Sequence, residues 1–216
     1  MSNLQIQLSP DIWTPATWEE YLKVVEDPDY EKARSYYYHG YMRLEMLPVG
    51  SDHAADHVIL ILAINLFSIL NNLPLTTRDN CTYRKSGVQE CQPDISCYFA
   101  NKAQAIPAGT NIIRLDQYPP PDLVVEIAKS SLLDDLGIKR SLYEELGVRE
   151  YWIVDVENTQ VLAYTIGNRG SYRIDVSQVL PGLAIAILTE ALDCSRQTDH
   201  SQVGAWLMDQ FRQQES

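Results

Sequence analysis

The sequence predicts one α/β domain built on a mixed sheet, and three observations carry that expectation. Short segments rich in aliphatic, β-branched and aromatic residues, Thr76–Tyr83, Cys91–Phe99, Leu123–Ala128 and Tyr151–Val156, read as strands. A long apolar helix precedes them, and a shorter helical segment separates the last two. Strand, helix and strand in succession imply a parallel pair, because parallel neighbours need a crossover connection. With 216 residues and 45% hydrophobic content, the chain can bury a substantial core as a single domain over residues 1–216.

The elements follow in order. Thr17 with Glu20 three residues later forms a capping-box signature, and Trp18, Tyr21, Leu22 and Val25 supply the apolar stripe of a first helix. Residues 36–47, rich in Tyr, Leu and Met around Gly40, predict a β-hairpin. From His53 to Asn71 the apolar positions cover much of a helix circumference, so this helix should be buried against the sheet. Lys85-Ser86-Gly87 reads as the turn between the first two strands. Leu132–Leu146, stopped by Gly147, is the crossover helix. Gln160–Ile166 and Tyr172–Val176 predict a hairpin extension around Gly167-Asn168-Arg169-Gly170, and Ser201–Gln213 a closing helix.

Composition narrows the function. A net charge of −12 argues against coating nucleic acid by bulk electrostatics, although residues 78–140 are balanced in charge while both flanks are acidic. The four cysteines form no CxxC pair and are expected to be buried, reduced thiols. No leader or membrane span is expected, the longest apolar run being interrupted by Asn65 and Ser68, and a cytoplasmic location follows as an expectation.

Two acids embedded in strand-like segments stand out: Asp94 in Gln92-Pro93-Asp94-Ile95-Ser96 and Glu126 in Leu123-Val124-Val125-Glu126-Ile127. A carboxylate placed among apolar residues is costly unless a cation or hydrogen-bond donors meet it. Side chains alternate across a strand, so Asp94 shares a face with Gln92, Ser96 and Tyr98, and Glu126 with Val124 and Ala128. Two carboxylates on adjacent strands can hold one or two Mg²⁺ ions, which orient a phosphodiester and activate water. Ordinary ion pairs, with Glu126 joined to Lys129 or Arg140, are the alternative.

The order of elements resembles the PD-(D/E)XK nuclease superfamily. More closely, Gln92-Pro93-Asp94, Pro121 to Ile127, Asp135 with Lys139 and Tyr143, and Gly147 to Asp155 resemble the Uma-type family of restriction-endonuclease-like proteins. The resemblance spans residues 17–172. It implies a restriction-endonuclease-like mixed-sheet core of order αβββαβ, preceded by an N-terminal helix and hairpin and followed by a hairpin extension. It also implies Mg²⁺ or Mn²⁺ held by Asp94 and Glu126, and DNA as substrate. The superfamily places a lysine two residues after the second acid; here that position is Ala128. Lys129 falls on the opposite strand face by parity, whereas Lys139 shares a helix face with Asp135 and Tyr143 at four-residue spacing. Lys139 is therefore preferred over Lys129.

Within Asp52-His53-Ala54-Ala55-Asp56-His57 the two histidines are spaced to bind one metal from a helix face, but the HExxH pattern fails at Ala54, which argues against a zinc protease. His53 matches the family's histidine and is assigned an assisting role, His57 a structural one. Glu45 is a candidate third metal ligand or a surface acid, and the tyrosines at 36–38 are expected to be packing aromatics. A homodimer would suit an enzyme cutting both strands. The function expected is a Mg²⁺-dependent DNA endonuclease; the alternative is a catalytically inactive nuclease-fold module binding DNA or protein.

Overall fold

The computed structural model describes residues 9–46, 50–167 and 170–213. Leu47 of the expected first hairpin and the turn residues Asn168 and Arg169 lie outside them. The described chain begins with β1 (Thr14–Pro15), α1 (Trp18–Val25), β2 (Arg34–Tyr38) and β3 (Tyr41–Glu45), followed by α2 (Ser51–Leu70). Next come β4 (Leu75–Asp79), β5 (Thr82–Lys85), β6 (Gln89–Cys91), β7 (Ile95–Phe99), β8 (Ile112–Arg114) and β9 (Leu123–Ala128). The remainder is α3 (Leu132–Leu136), α4 (Ile138–Leu146), β10 (Glu150–Asp155), β11 (Gln160–Gly167), β12 (Gly170–Ile174), α5 (Ile185–Ser195) and α6 (His200–Gln213).

Two six-stranded sheets result, where the sequence suggested one. The core sheet runs β12-β11-β10-β9-β7-β4 and the outer sheet β1-β3-β2-β6-β5-β8. Taken along α2, β4, β7, β9, α3–α4 and β10, the core shows the expected αβββαβ order, with β9 and β10 parallel. The outer sheet is formed by the first hairpin together with strands that leave the core sheet and return.

Each departure has a local cause. The segment expected as one strand over 76–83 is cut at Asn80, whose φ of 48° belongs to the left-handed region that asparagine tolerates. The segment over 91–99 is cut at Gln92-Pro93-Asp94, where proline lacks the N–H a central strand needs. The breaks meet: Asn80 N–H donates to the Asp94 carbonyl at 3.0 Å and the Gln92 side chain to the Asn80 carbonyl at 3.1 Å. The chain thereby crosses from β4 to β5–β6 and returns at β7, and the Lys85-Ser86-Gly87 turn joins β5 to β6 within the outer sheet.

The crossover helix is likewise two pieces. Gly137, at φ −109° and ψ −100°, separates α3 from α4, and a Cβ there would meet the Leu133 carbonyl oxygen at 3.0 Å. The stop at Gly147 holds, with φ 86° in the left-handed cap conformation. The capping box at Thr17 and Glu20 is present in both directions. Helix α5 and strand β8 are additions that the sequence pattern did not indicate.

Helix α2 is apolar enough, by length and composition, to cross a membrane. In the fold it is a core helix against the sheet, α5 and α6, with Ile59, Leu60, Ala63, Ile64 and Phe67 buried, although Val58 and Ile69 remain exposed. On this side of β9 lie Leu123, Val125 and Ile127. The other side, covered by α3–α4 and the outer sheet, receives Val124 and Ala128 among Tyr36, Tyr98, Tyr143 and Tyr151. Of the cysteines, Cys91 and Cys97 are buried, Cys81 and Cys194 only partly, and all four are free thiols.

Candidate functional site

The antiparallel register of β7 and β9 pairs Ile95 with Val125 and Ser96 with Val124, so one further step sets Asp94 opposite Glu126. Asp94 sits just before β7, in the break that Pro93 enforces, and its Oδ2 accepts the Ile127 N–H at 2.7 Å. Its Oδ1 accepts from Arg34 Nη1 and lies 3.3 Å from His53 Nε2. Glu126 Oε1 accepts from the Tyr143 hydroxyl at 2.5 Å and the Tyr36 hydroxyl at 3.3 Å. Both carboxyl groups are buried.

Lys139 reaches this centre from α4. Its ammonium lies 2.7 Å from Glu45, 3.1 Å from Asp135 and 3.8 Å from Glu126, above the Tyr36 ring at 4.3 Å. Although 1% exposed, it is surrounded by carboxylates that meet its charge. Asp135 and Lys139 come together across the Gly137 break, so the four-residue spacing keeps its meaning in two short helices. Glu45, far from being a surface acid, is buried and joined to Lys139, to Arg43 at 3.0 Å and to Arg34 at 3.3 Å.

Charge is distributed unevenly. Burial disfavours ionisation of Asp94, yet the His53 hydrogen bond and the Arg34 charge hold its carboxyl well below the usual range. Glu126 goes the other way: burial pushes it up to about 8, Lys139 notwithstanding, and the nearby Asp94 charge adds to the shift. Burial also raises Asp135, whereas Glu45 is lowered because Lys139 and Arg34 outweigh its burial. Burial works against the Lys139 charge, but Asp135 and Glu126 raise its pKa well above that of a free lysine. The surrounding carboxylates thus favour the charged form of Lys139.

The remaining expectations divide. His53 is within reach of Asp94, and His57 Nε2 lies 3.0 Å from the Asp94 carbonyl oxygen, which suits the structural role given to it. Lys129 does not join the cluster; it is exposed, 3.4 Å from the equally exposed Asp52. Ala128 fills the expected lysine position with buried core. Tyr36 is more than packing, since its hydroxyl serves both Glu126 and the Gln92 carbonyl. Arg34 and Arg43 were missed, although strand parity offered a signal: Arg34 and Tyr36 share a face of β2, Arg43 and Glu45 a face of β3, and the register pairs Arg34 with Glu45.

Carboxylate oxygens are the donors a hard divalent cation prefers. Asp94, Glu126 and Glu45 supply them, and a cation there would favour the ionised form of Glu126 that burial opposes. The donor chemistry thus fits. The ligand geometry is not assembled, because Arg34 lies between Asp94 and Glu45; among the described residues no three His, Cys, Asp or Glu side chains converge as a ready coordination set. Two cavities flank the acids. One of ≈ 460 Å³ is lined by Glu45, Lys129, Ser130 and Ser131, and one of ≈ 440 Å³ by Asp94, His57 and Gln92, with Arg34 and His53 in the wall of both.

The fold is similar to that of a protein from Anabaena variabilis described as a "putative nuclease belonging to DUF820". The two chains share 20% identity with a TM-score of 0.60, over 82% of this chain and 99% of the other. That likeness supports the restriction-endonuclease-like architecture. No curated protein sequence matches the chain. The profile of Uma2, a family described as "putative restriction endonuclease", matches residues 18–199, which include Asp94, Glu126, Lys139 and His53, and the chain belongs to this family.

Proposed function

We propose that the protein is a Mg²⁺-dependent endonuclease that hydrolyses phosphodiester bonds in DNA. The observation that carries the reading is the meeting of Asp94 and Glu126 across β7 and β9 with the Lys139 ammonium beside them, in a chain of a nuclease-type family. Asp94 and Glu126 are the residues that would hold the cation, with Glu45 as third ligand. When bound, the cation supplies an activated water and neutralises charge on the leaving oxygen.

The chain's own groups do the rest. Lys139, fixed as a cation by Glu45 and Asp135, stabilises negative charge developing next to Glu126. Tyr143 orients the Glu126 carboxyl, and His53 with the Ile127 N–H orients Asp94. Ser130, Ser131 and Lys129 line the larger cavity, where phosphate oxygens can be received.

The test is cleavage of supercoiled, linear duplex and single-stranded DNA by the purified protein with Mg²⁺, Mn²⁺ or chelator. Metal-dependent cleavage lost in both Asp94→Ala and Glu126→Ala is expected. Cleavage unchanged by Asp94→Ala overturns the reading, as does failure to cut any of these DNAs. The competing reading, an inactive DNA- or protein-binding module, is favoured by the apolar Ala128 and by acids already engaged with protein cations. It expects DNA retention without cleavage, and the same retention in Asp94→Ala.

A further inference from the structure

We infer that Arg34 is the protein's internal substitute for the metal, and that a divalent cation enters only as the Arg34 side chain withdraws from between Asp94 and Glu45. The inference rests on the metal-dependent reading above and adds a residue that neither the sequence pattern nor the family resemblance assigns.

Arg34 is the first residue of β2, in the outer sheet, yet its guanidinium joins the two sheets. Nη1 donates to Asp94 Oδ1 at the start of β7, while Nη2 lies 3.3 Å from Glu45 Oε2 at the end of β3. One planar cation thus spans two carboxylates through different nitrogens. The arrangement solves a physical problem of the metal-free protein. Both carboxylates are buried, and without a cation between them they would repel each other in a medium of low polarity.

Freedom to move separates Arg34 from Lys139. Lys139 is 1% exposed and held by three carboxylates, with no cavity lined by it among those flanking the site. The Arg34 side chain, 13% exposed, forms part of the wall between the ≈ 460 Å³ and ≈ 440 Å³ cavities and has space on both sides. Its withdrawal frees Glu45 Oε2, leaves Asp94 Oδ1 with His53 alone, and opens the partition beside Asp94. Metal binding and guanidinium binding are then mutually exclusive, so each weakens the other by the same factor.

The test measures Mn²⁺ binding to the full chain by the paramagnetic resonance of the free ion. Arg34→Met, which keeps bulk and removes charge, is expected to bind Mn²⁺ about tenfold tighter than wild type, the size set by loss of one charge-assisted competitor. The gain should vanish in Arg34→Met with Asp94→Asn. A second measurement needs no charge-removing variant: with ¹⁵N-arginine labelling, the Arg34 Nε–H resonance of the wild type, assigned by its loss in Arg34→Lys, should shift as Mg²⁺ saturates. Equal or weaker Mn²⁺ binding by Arg34→Met overturns the inference, as does a gain that survives Asp94→Asn. If Arg34→Met does not fold, a resonance unmoved at Mg²⁺ saturation overturns it. Wild-type binding with no gain in Arg34→Met rejects the role of Arg34 and leaves the metal reading standing; no binding in either protein rejects both.

Discussion

The two faces of strand β9 are made by alternate residues of one hexapeptide and have opposite characters. Leu123, Val125 and Ile127 enter a layer of aliphatic side chains with Trp152, Val154, α2 and α5. Val124, Glu126 and Ala128 enter a layer of tyrosines crossed by Asp94, Glu45, Asp135, Lys139 and Arg34. The first layer holds the sheet through contacts that need no particular geometry. The second buries charge, and so depends on every partner being present. A single register therefore separates the apolar part of the core from the part that buries the charged residues of the candidate site.

Substitutions on each face sharpen the contrast. The largest loss of stability is expected for Trp152→Ala, about 3–5 kcal/mol by urea denaturation, since the ring is fully buried and its Nε1–H meets Glu150 at 3.0 Å. A loss below about 1 kcal/mol would contradict the role given to the aliphatic layer. Asp94→Asn is expected to cost less, about 1.5–3 kcal/mol, because charge-assisted bonds from Arg34 and His53 are weakened while Arg34 retains Glu45. Its equilibrium unfolding, measured in chelator, should fall between Trp152→Ala and wild type.

Glu126→Gln is expected to stay within about 1 kcal/mol of wild type near pH 4, where the carboxyl is protonated in the folded and the unfolded chain alike. The sign at higher pH follows from linkage. Burial raises the folded-state pKa to about 8, above the 4.5 of an ordinary glutamate, so the contribution of this group is fully present below about 4.5 and is lost as pH rises through about 8. In chelator, wild type should lose thermal stability relative to Glu126→Gln as pH rises from about 4.5 to about 8 and level off above that; equal slopes would show that Glu126 is ionised throughout. The smallest effect is expected for Lys129→Ala, within about 0.5 kcal/mol, because its only ion-pair partner among the described residues is the exposed Asp52 at 3.4 Å. A loss of 2 kcal/mol would mean that Lys129 belongs to the buried cluster after all.

Local patterns were legible in the sequence because their causes are local. The Thr17 cap, the Gly40 hairpin, the Gly147 stop and the parity of Glu126 against Val125 each depend on residues a few positions apart. The acids were legible for the same reason, an acid in an apolar strand being conspicuous whatever lies opposite. The polar layer was legible only in part: strand parity offered Arg34 as a partner of Glu45, but its meeting with Asp94, sixty positions away in sequence, has no local signal. The division into two sheets was hidden too. Asn80 and Pro93 look like ordinary interruptions until they are seen to meet, and Gly137 breaks a helix whose four-residue spacing remains correct on either side of it. Helix α5, with a broadly apolar sequence, has no cap or amphipathic stripe to announce it.

The most direct measurement of the account is the anomalous scattering of Mn²⁺ in crystals of the protein soaked in MnCl₂. The account predicts a peak within coordination distance of the carboxylates of Asp94 and Glu126, with the Arg34 side chain turned away, and no such peak in Asp94→Asn. A fully occupied Arg34–Asp94 pair at saturating Mn²⁺, with no peak between the two acids, would contradict it.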